Sequence, residues 1–230
     1  MKIRSYVAFL LVLTVACFCS GIAAGESPTH RTILTIENGI ALEHELAVQA
    51  FEKVVEFYEQ LGYALPEDSH LTVMFQDPIH VKGKDILYAQ AIYDPSTRTI
   101  RMIRFEAARF QNSTILGQNP SLEVYYSILA HECAHFVNTL ICPKMDVIID
   151  EAVACYVQLS LMERGLRDTI LSRINGMEFR TYRQINMGAY IADADRFVVA
   201  SYRFCLNHPK LLMRFLDGRI APVKDPLLME

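Results

Sequence analysis

Residues 131–151 read HECAHFVNTLICPKMDVIIDE, and whether this stretch closes round a metal ion decides how the whole chain is read. His131 and His135 stand four apart and enclose Glu132. In an α-helix, positions i and i+4 lie one above the other on one face, so both imidazoles can reach a single ion. Glu132 is one position round from His131 and can flank that ion without ligating it. A carboxylate there is placed to take a proton from water held by the metal. Ile128, Leu129, Cys133, Ala134, Phe136 and Val137 make the surroundings uncharged, so the helix is expected to be buried. An unpartnered histidine or glutamate in such a place is costly, and a divalent ion supplies the partner. The five-residue pattern also arises by accident, so its position in an apolar, capped helix carries the weight.

A third ligand is available downstream. Pro143 stops the first helix, and DVIIDEAVACYV opens a second, expected to begin near Asp150, run to about Arg164 and end at Gly165. Glu151, close to the start of an antiparallel helix, can face back towards His131 and His135. Two histidines, one carboxylate and an open position make up the catalytic zinc pattern. Asp146 and Asp150 are rival third ligands. Asp150 is expected to point about a hundred degrees away from Glu151 if both are helical.

The combination of HECAH, a short break and IIDEAVACY resembles the gluzincin metallopeptidases, the thermolysin-like superfamily. In many short members the second helix carries two apolar residues, any residue, Glu, Gly, any residue, Ala. Residues 148–154 match, except that Ala152 stands where glycine is usual. The likeness is strong over about 25 residues. It implies a zincin-like α+β fold with His131, His135 and Glu151 as zinc ligands, and with Glu132 as general base and later proton donor. It also implies a peptide or protein substrate held in extended form along an edge strand. The tetrahedral oxyanion of such a reaction needs one more donor, and the resemblance suggests a tyrosine or histidine late in the chain. Tyr190, in MGAYIADADRFVVASYRF, is the first choice; Tyr202, Tyr182 and His208 are alternatives.

Upstream, RTILTIENG reads as a short strand. Leu42 to Leu61 carries apolar residues at helical spacing, with Gly62 where a C-cap belongs. HLTVMFQD alternates like a strand, HVKGKD reads as a turn, and ILYAQAIYDPSTRTIRMIRF as a hairpin turning at Asp94 to Thr97. Arg98, Arg101 and Arg104 suggest that its second arm is the exposed edge. Ser121 is read as the N-cap of the HECAH helix. After residue 165 the chain reads as mostly helical to about Leu216, with breaks at Asn175-Gly176 and His208-Pro209. The expectation is one domain over residues 26–230. An α/β lobe at about 30–143 carries the first two ligands, and a helical lobe at about 146–217 carries the third.

The chain has 230 residues, enough for one sizeable core. Lys2 and Arg4 precede an apolar run of about a dozen residues and then small residues, so residues 1–25 read as a secretory signal peptide. An uncleaved anchor and a lipid attached at Cys17 are the alternatives. With that leader gone, 20 basic residues face 26 acidic ones, a net charge of −6. Such a balance recommends no nucleic-acid partner. A secreted or periplasmic location follows from the leader, with no membrane span left after cleavage. Cys133, Cys142, Cys155 and Cys205 remain, either as two disulfides, of which Cys133–Cys155 would staple the site, or as buried thiols. Three functions compete: a zinc peptidase, a non-catalytic zincin-fold binding or scaffold protein, and a helical interaction domain with an accidental motif.

Overall fold

The computed structural model describes residues 33–81, 84–86, 89–110 and 114–220. The expected leader, with Cys17, lies outside them. The chain begins as a strand–helix–strand unit of β1 (Ile33–Glu37), α1 (Ala41–Gln60) and β2 (His70–Gln76), with β1 parallel to β2 and Ile33 opposite His70. The apolar spacing read from the sequence becomes one buried stripe on α1, formed by Ala47, Ala50, Phe51, Val54 and Tyr58. Gly62, just past the C-cap Leu61, has φ +90°, a turn that a side chain would strain. Glu43 ties this unit to the rest of the fold. Its buried carboxylate accepts the N–H of Ile40 at 3.0 Å and of Phe105 at 2.8 Å.

Four strands form a mixed sheet in the order β1-β2-β6-β5, where β5 is Ala91–Asp94 and β6 is Thr99–Ile103. A hairpin forms, but it turns after Asp94, which is still paired with Thr99, its first arm does not include Ile86, and its edge is not the arm expected. The arginine-bearing arm β6 is central, parallel to β2 and antiparallel to β5, and β5 is the edge. Only Arg101 lies inside that strand. Arg98 sits in the turn with φ +50° and Arg104 falls beyond the strand's end. Arg101 is tolerated because Asp94 stands 3.7 Å away. The supposed turn HVKGKD instead contributes to a separate antiparallel pair, β3 (Ile79–Val81) with β4 (Lys84–Ile86).

From Phe105 onward the described chain is helices and loops, apart from an isolated bridge between Ile115 and Gln118. The helices are α2 (Phe105–Phe110), α3 (Leu122–Ile141), α4 (Val147–Leu161), α5 (Arg164–Arg173), α6 (Met187–Ala192), α7 (Ala194–Asn207) and α8 (Pro209–Leu216). The fold is therefore α+β, with a small mixed sheet and a larger helical part. α3 is the central element, packed against α1, α4 and β5, and α4 is covered in turn by α7. Leu129, Ala130, Cys133, Ala134, Phe136 and Val137 of α3 are fully buried. Each large apolar side chain so buried contributes about 1.5–3 kcal/mol relative to exposure.

The second helix departs from expectation at both ends. It begins at Val147 because the Asp146 side chain caps it, accepting the N–H of Ile148 at 3.1 Å. It ends at Leu161, and Gly165 belongs to the first turn of α5 rather than to a stop. The Glu163 carboxylate caps α5 by accepting the N–H of Leu166 at 2.8 Å, and a Cβ at position 165 would come within 3.1 Å of that carboxylate. Glycine here leaves room for the cap.

Candidate metal centre

Ser121 fixes the start of α3, its side chain accepting the N–H of Val124 at 3.3 Å. Three turns on, His131 and His135 project from one face with their rings 4.7 Å apart and nearly perpendicular. Their Nε2 atoms converge to 3.0 Å. Glu151 of α4 closes the group. Its Oε1 lies 3.3 Å from Nε2 of His131, and its Oε2 lies 3.4 Å from Nε2 of His135. One donor atom from each of the three residues falls within 4.8 Å of the others, so the group could hold a metal ion.

The rivals are placed elsewhere. Asp146 is spent on the helix cap. Asp150 points to the far side of His135, with Oδ2 2.8 Å from Nδ1. That contact fixes which imidazole nitrogen faces the group, a role that carboxylates commonly fill behind metal-binding histidines. The other oxygen of Asp150 accepts from Asn138 Nδ2 at 2.7 Å, and Oδ1 of Asn138 accepts from the Tyr58 hydroxyl at 2.7 Å. Tyr58 and Asn138 are buried. Nδ1 of His131, in contrast, is buried without a hydrogen-bond partner among the described residues.

These contacts set the charges. Burial works to lower the basicity of His135, but hydrogen bonds to Asp150 and Glu151 outweigh it and hold the imidazole well above its ordinary value. Burial alone would raise the Glu151 carboxyl. The two histidines hold it well below the ordinary carboxylate range. The donor set fits a divalent ion in chemistry as well as in position: two imidazole nitrogens and one carboxylate converge, and an ion there would take the place of the proton that His135 otherwise holds against Glu151.

Glu132 is 8% exposed, and the main-chain N–H of Tyr93 on β5 favours its charged form. Burial pushes its carboxyl above the ordinary range, and the two histidines partly draw it back. Because Gln90 and Ile103 exchange a ladder hydrogen bond, the alternation of the antiparallel pair turns the main chain of Ala91 and Tyr93 towards the free side of the sheet. Tyr190 lies on α6, which Asn186 caps, with its ring edge-on to Phe197 at 5.2 Å. Its hydroxyl is pushed up to about 12, first by burial and then by the charges of Glu151, Cys155 and Glu132. It is therefore a protonated donor at neutral pH, within electrostatic reach of the group.

The other candidates have structural work. Tyr202 packs in a small apolar cluster and stacks on Tyr156. His208 ends α7 with Nδ1 on the carbonyl of Phe204 at 2.9 Å. Tyr182 starts a one-turn helix and packs against the core. All four cysteines among the described residues are buried free thiols, so no Cys133–Cys155 bridge forms. The Cys155 thiol instead sits 3.9 Å from Glu151 Oε1 as a weak donor. Two cavities, of about 390 and 370 Å³, are lined by other residues.

Sequence reasoning missed Tyr58, Asn138 and the Tyr93 N–H. A lone amide three positions after His135 in an apolar helix was the available signal for Asn138, since a buried amide has to be paired.

Fold and site together define an α+β protein with a two-histidine, one-carboxylate group able to hold a metal ion. Residues 35–222 match a family of unknown function, DUF6639, and the chain belongs to it. No curated protein and no solved structure matches the chain.

Proposed function

We propose that this protein is an exported zinc metallopeptidase with a zincin-like fold. The reading is carried by one observation: the Nε2 atoms of His131 and His135 and the carboxylate of Glu151 converge while the separate carboxylate of Glu132 stands beside them on α3. His131, His135 and Glu151 would hold the ion. When bound, zinc supplies Lewis acidity, polarising a carbonyl and acidifying water towards a pKa of about 7.

Glu132 takes the proton from the attacking water and returns it to the leaving amine. A carboxyl raised by burial above its ordinary value is better suited to hold that proton and return it. Tyr190, protonated, donates to the carbonyl oxygen as negative charge develops there. The outward-facing main chain of β5 offers an extended peptide a strand to pair with. Export rests on the pattern of residues 2–25 alone.

Bound zinc is measured by elemental analysis on wild type, Glu132→Gln and Glu151→Ala, alongside hydrolysis of casein and a peptide library. The reading expects near-stoichiometric zinc in the first two, weak binding in the third, and hydrolysis in wild type only. Zinc without hydrolysis in wild type would leave a metal-holding binding protein, and no zinc at all would end the metal reading.

A further inference from the structure

The two histidines of the group are not held alike. His135 is fixed from behind by a continuous chain of hydrogen bonds, each 2.7 or 2.8 Å, running Tyr58, Asn138, Asp150, His135. This chain crosses from α1 through α3 to α4, so it joins α1 to the two helices that carry the group. Every polar atom in it that faces the interior is used. Asn138 donates to one neighbour and accepts from the other, and both oxygens of Asp150 are occupied. The amide orientation of Asn138 is thereby forced, because Tyr58 can donate to its oxygen and Asp150 can only accept from its nitrogen. A buried polar chain of this kind is costly unless complete, and a core position such as that of Asn138, 1% exposed, would pack more cheaply with leucine. His131 has nothing comparable, since its Nδ1 is buried with no partner among the described residues.

We propose that Tyr58, Asn138 and Asp150 form a positioning relay that presets His135 Nε2 for the metal, making His135 the rigid ligand and His131 the adaptable one. The proposal rests on the metal reading above but not on peptidase activity. Asp150 locks the tautomer and rotation of His135. Asn138 locks the rotation of Asp150 and so keeps the neighbouring Glu151 aimed at the group. Tyr58 locks Asn138 and brings α1 into register with the ligand helices. None of the three touches the reacting atoms.

The test is zinc affinity by chelator competition, with visible absorption of the cobalt-substituted protein and melting of the metal-free protein measured in parallel. The variants are Tyr58→Phe, Asn138→Leu, their double mutant, and Ser127→Ala as a control. Ser127 is equally buried and bonds Gln158 across the same α3–α4 contact at 3.3 Å, outside the relay.

Loss of Asn138 is expected to weaken zinc binding about 10- to 100-fold, the range for groups standing behind metal ligands, and to alter the cobalt spectrum. Tyr58→Phe gives a smaller loss in the same direction. The double mutant is no weaker than Asn138→Leu alone, because Tyr58 acts only through Asn138. Ser127→Ala lowers the melting temperature with zinc affinity unchanged. If Asn138→Leu fails to fold, Tyr58→Phe, which removes one oxygen, decides the matter. Zinc affinities in the relay variants equal to wild type, or reduced no more than in Ser127→Ala, overturn the relay while leaving the metal site standing. A wild type that takes up neither zinc nor cobalt overturns both.

Discussion

The main-chain N–H of Tyr93 on the edge strand β5 favours the charged form of Glu132 on the buried helix α3, so the two elements meet at this carboxylate. Glu132 thus has a structural task besides the chemical one proposed for it. The two tasks separate by substitution. Glutamine keeps an oxygen facing that N–H, whereas leucine removes every acceptor at the position, at a cost of about 1–3 kcal/mol. Both variants should be inactive. Only Glu132→Leu should show a lowered urea midpoint and faster hydrogen exchange at the Tyr93 amide.

Tyr190→Phe removes the proposed oxyanion donor and leaves the ring packed on Phe197. The expectation is a fall in kcat of about 10²- to 10³-fold, with bound zinc and melting temperature unchanged. Unaltered kcat would remove Tyr190 from the mechanism and reopen the choice of donor.

Asp146→Ala deletes the cap that starts α4. Stability should drop by about 0.5–2 kcal/mol in urea denaturation. Because Glu151 lies little more than one turn inside that helix, fraying should weaken zinc as well. A stable variant with weakened zinc, or the converse, would show that the cap and the ligand are not linked.

The metal-free protein should be most stable between about pH 4.5 and 6.5. Glu151 is depressed in the fold from its ordinary 4.5, so its contribution is present above that pH and is lost as pH falls through the folded value. His135 is raised above its ordinary 6.5, so its contribution is complete below 6.5 and is lost as pH rises through the folded value. These are two halves of one interaction and are not to be added. Glu132, raised by burial, destabilises as pH climbs past 4.5 towards its folded value, which tilts the optimum to the acidic end of that window. Melting temperatures of chelator-treated protein from pH 4 to 8 would settle this. A curve rising steadily to pH 8 contradicts it.

Phe136→Ala should cost about 3–5 kcal/mol. The ring is fully buried directly after His135 and meets Phe51 of α1 and Tyr93 of β5. Calorimetry or urea denaturation measures the loss.

Legibility followed the range of the interactions involved. His131 and His135 were readable because i and i+4 geometry is local, and Glu151 because the break at Pro143 is short enough to force an antiparallel return. Both helical breaks near residues 175 and 208 were readable from glycine and proline. The order of the strands was not. Arg98, Arg101 and Arg104 look alike in sequence, and only the pairing of β6 with β2 shows that one of them lies in the strand and is offset by Asp94. The ends of α4 were misplaced because the caps at Asp146 and Glu163 act through side-chain hydrogen bonds that periodicity does not carry. Tyr58 stood in an apolar stripe at core spacing, and its partner is 80 residues away.

Glu151, the third member of the group, follows His135 by 16 positions, and this short separation bears on how the molecule assembles. Joining the ends of so small a loop costs little chain entropy, so the α3–α4 hairpin can gather its three donors before distant segments arrive. Tyr58, 80 positions from Asn138, has a far longer loop to close and is expected to join the hairpin later. An ion captured as the chain folds would therefore meet a loose chelate first, and completion of the fold around it would slow its escape.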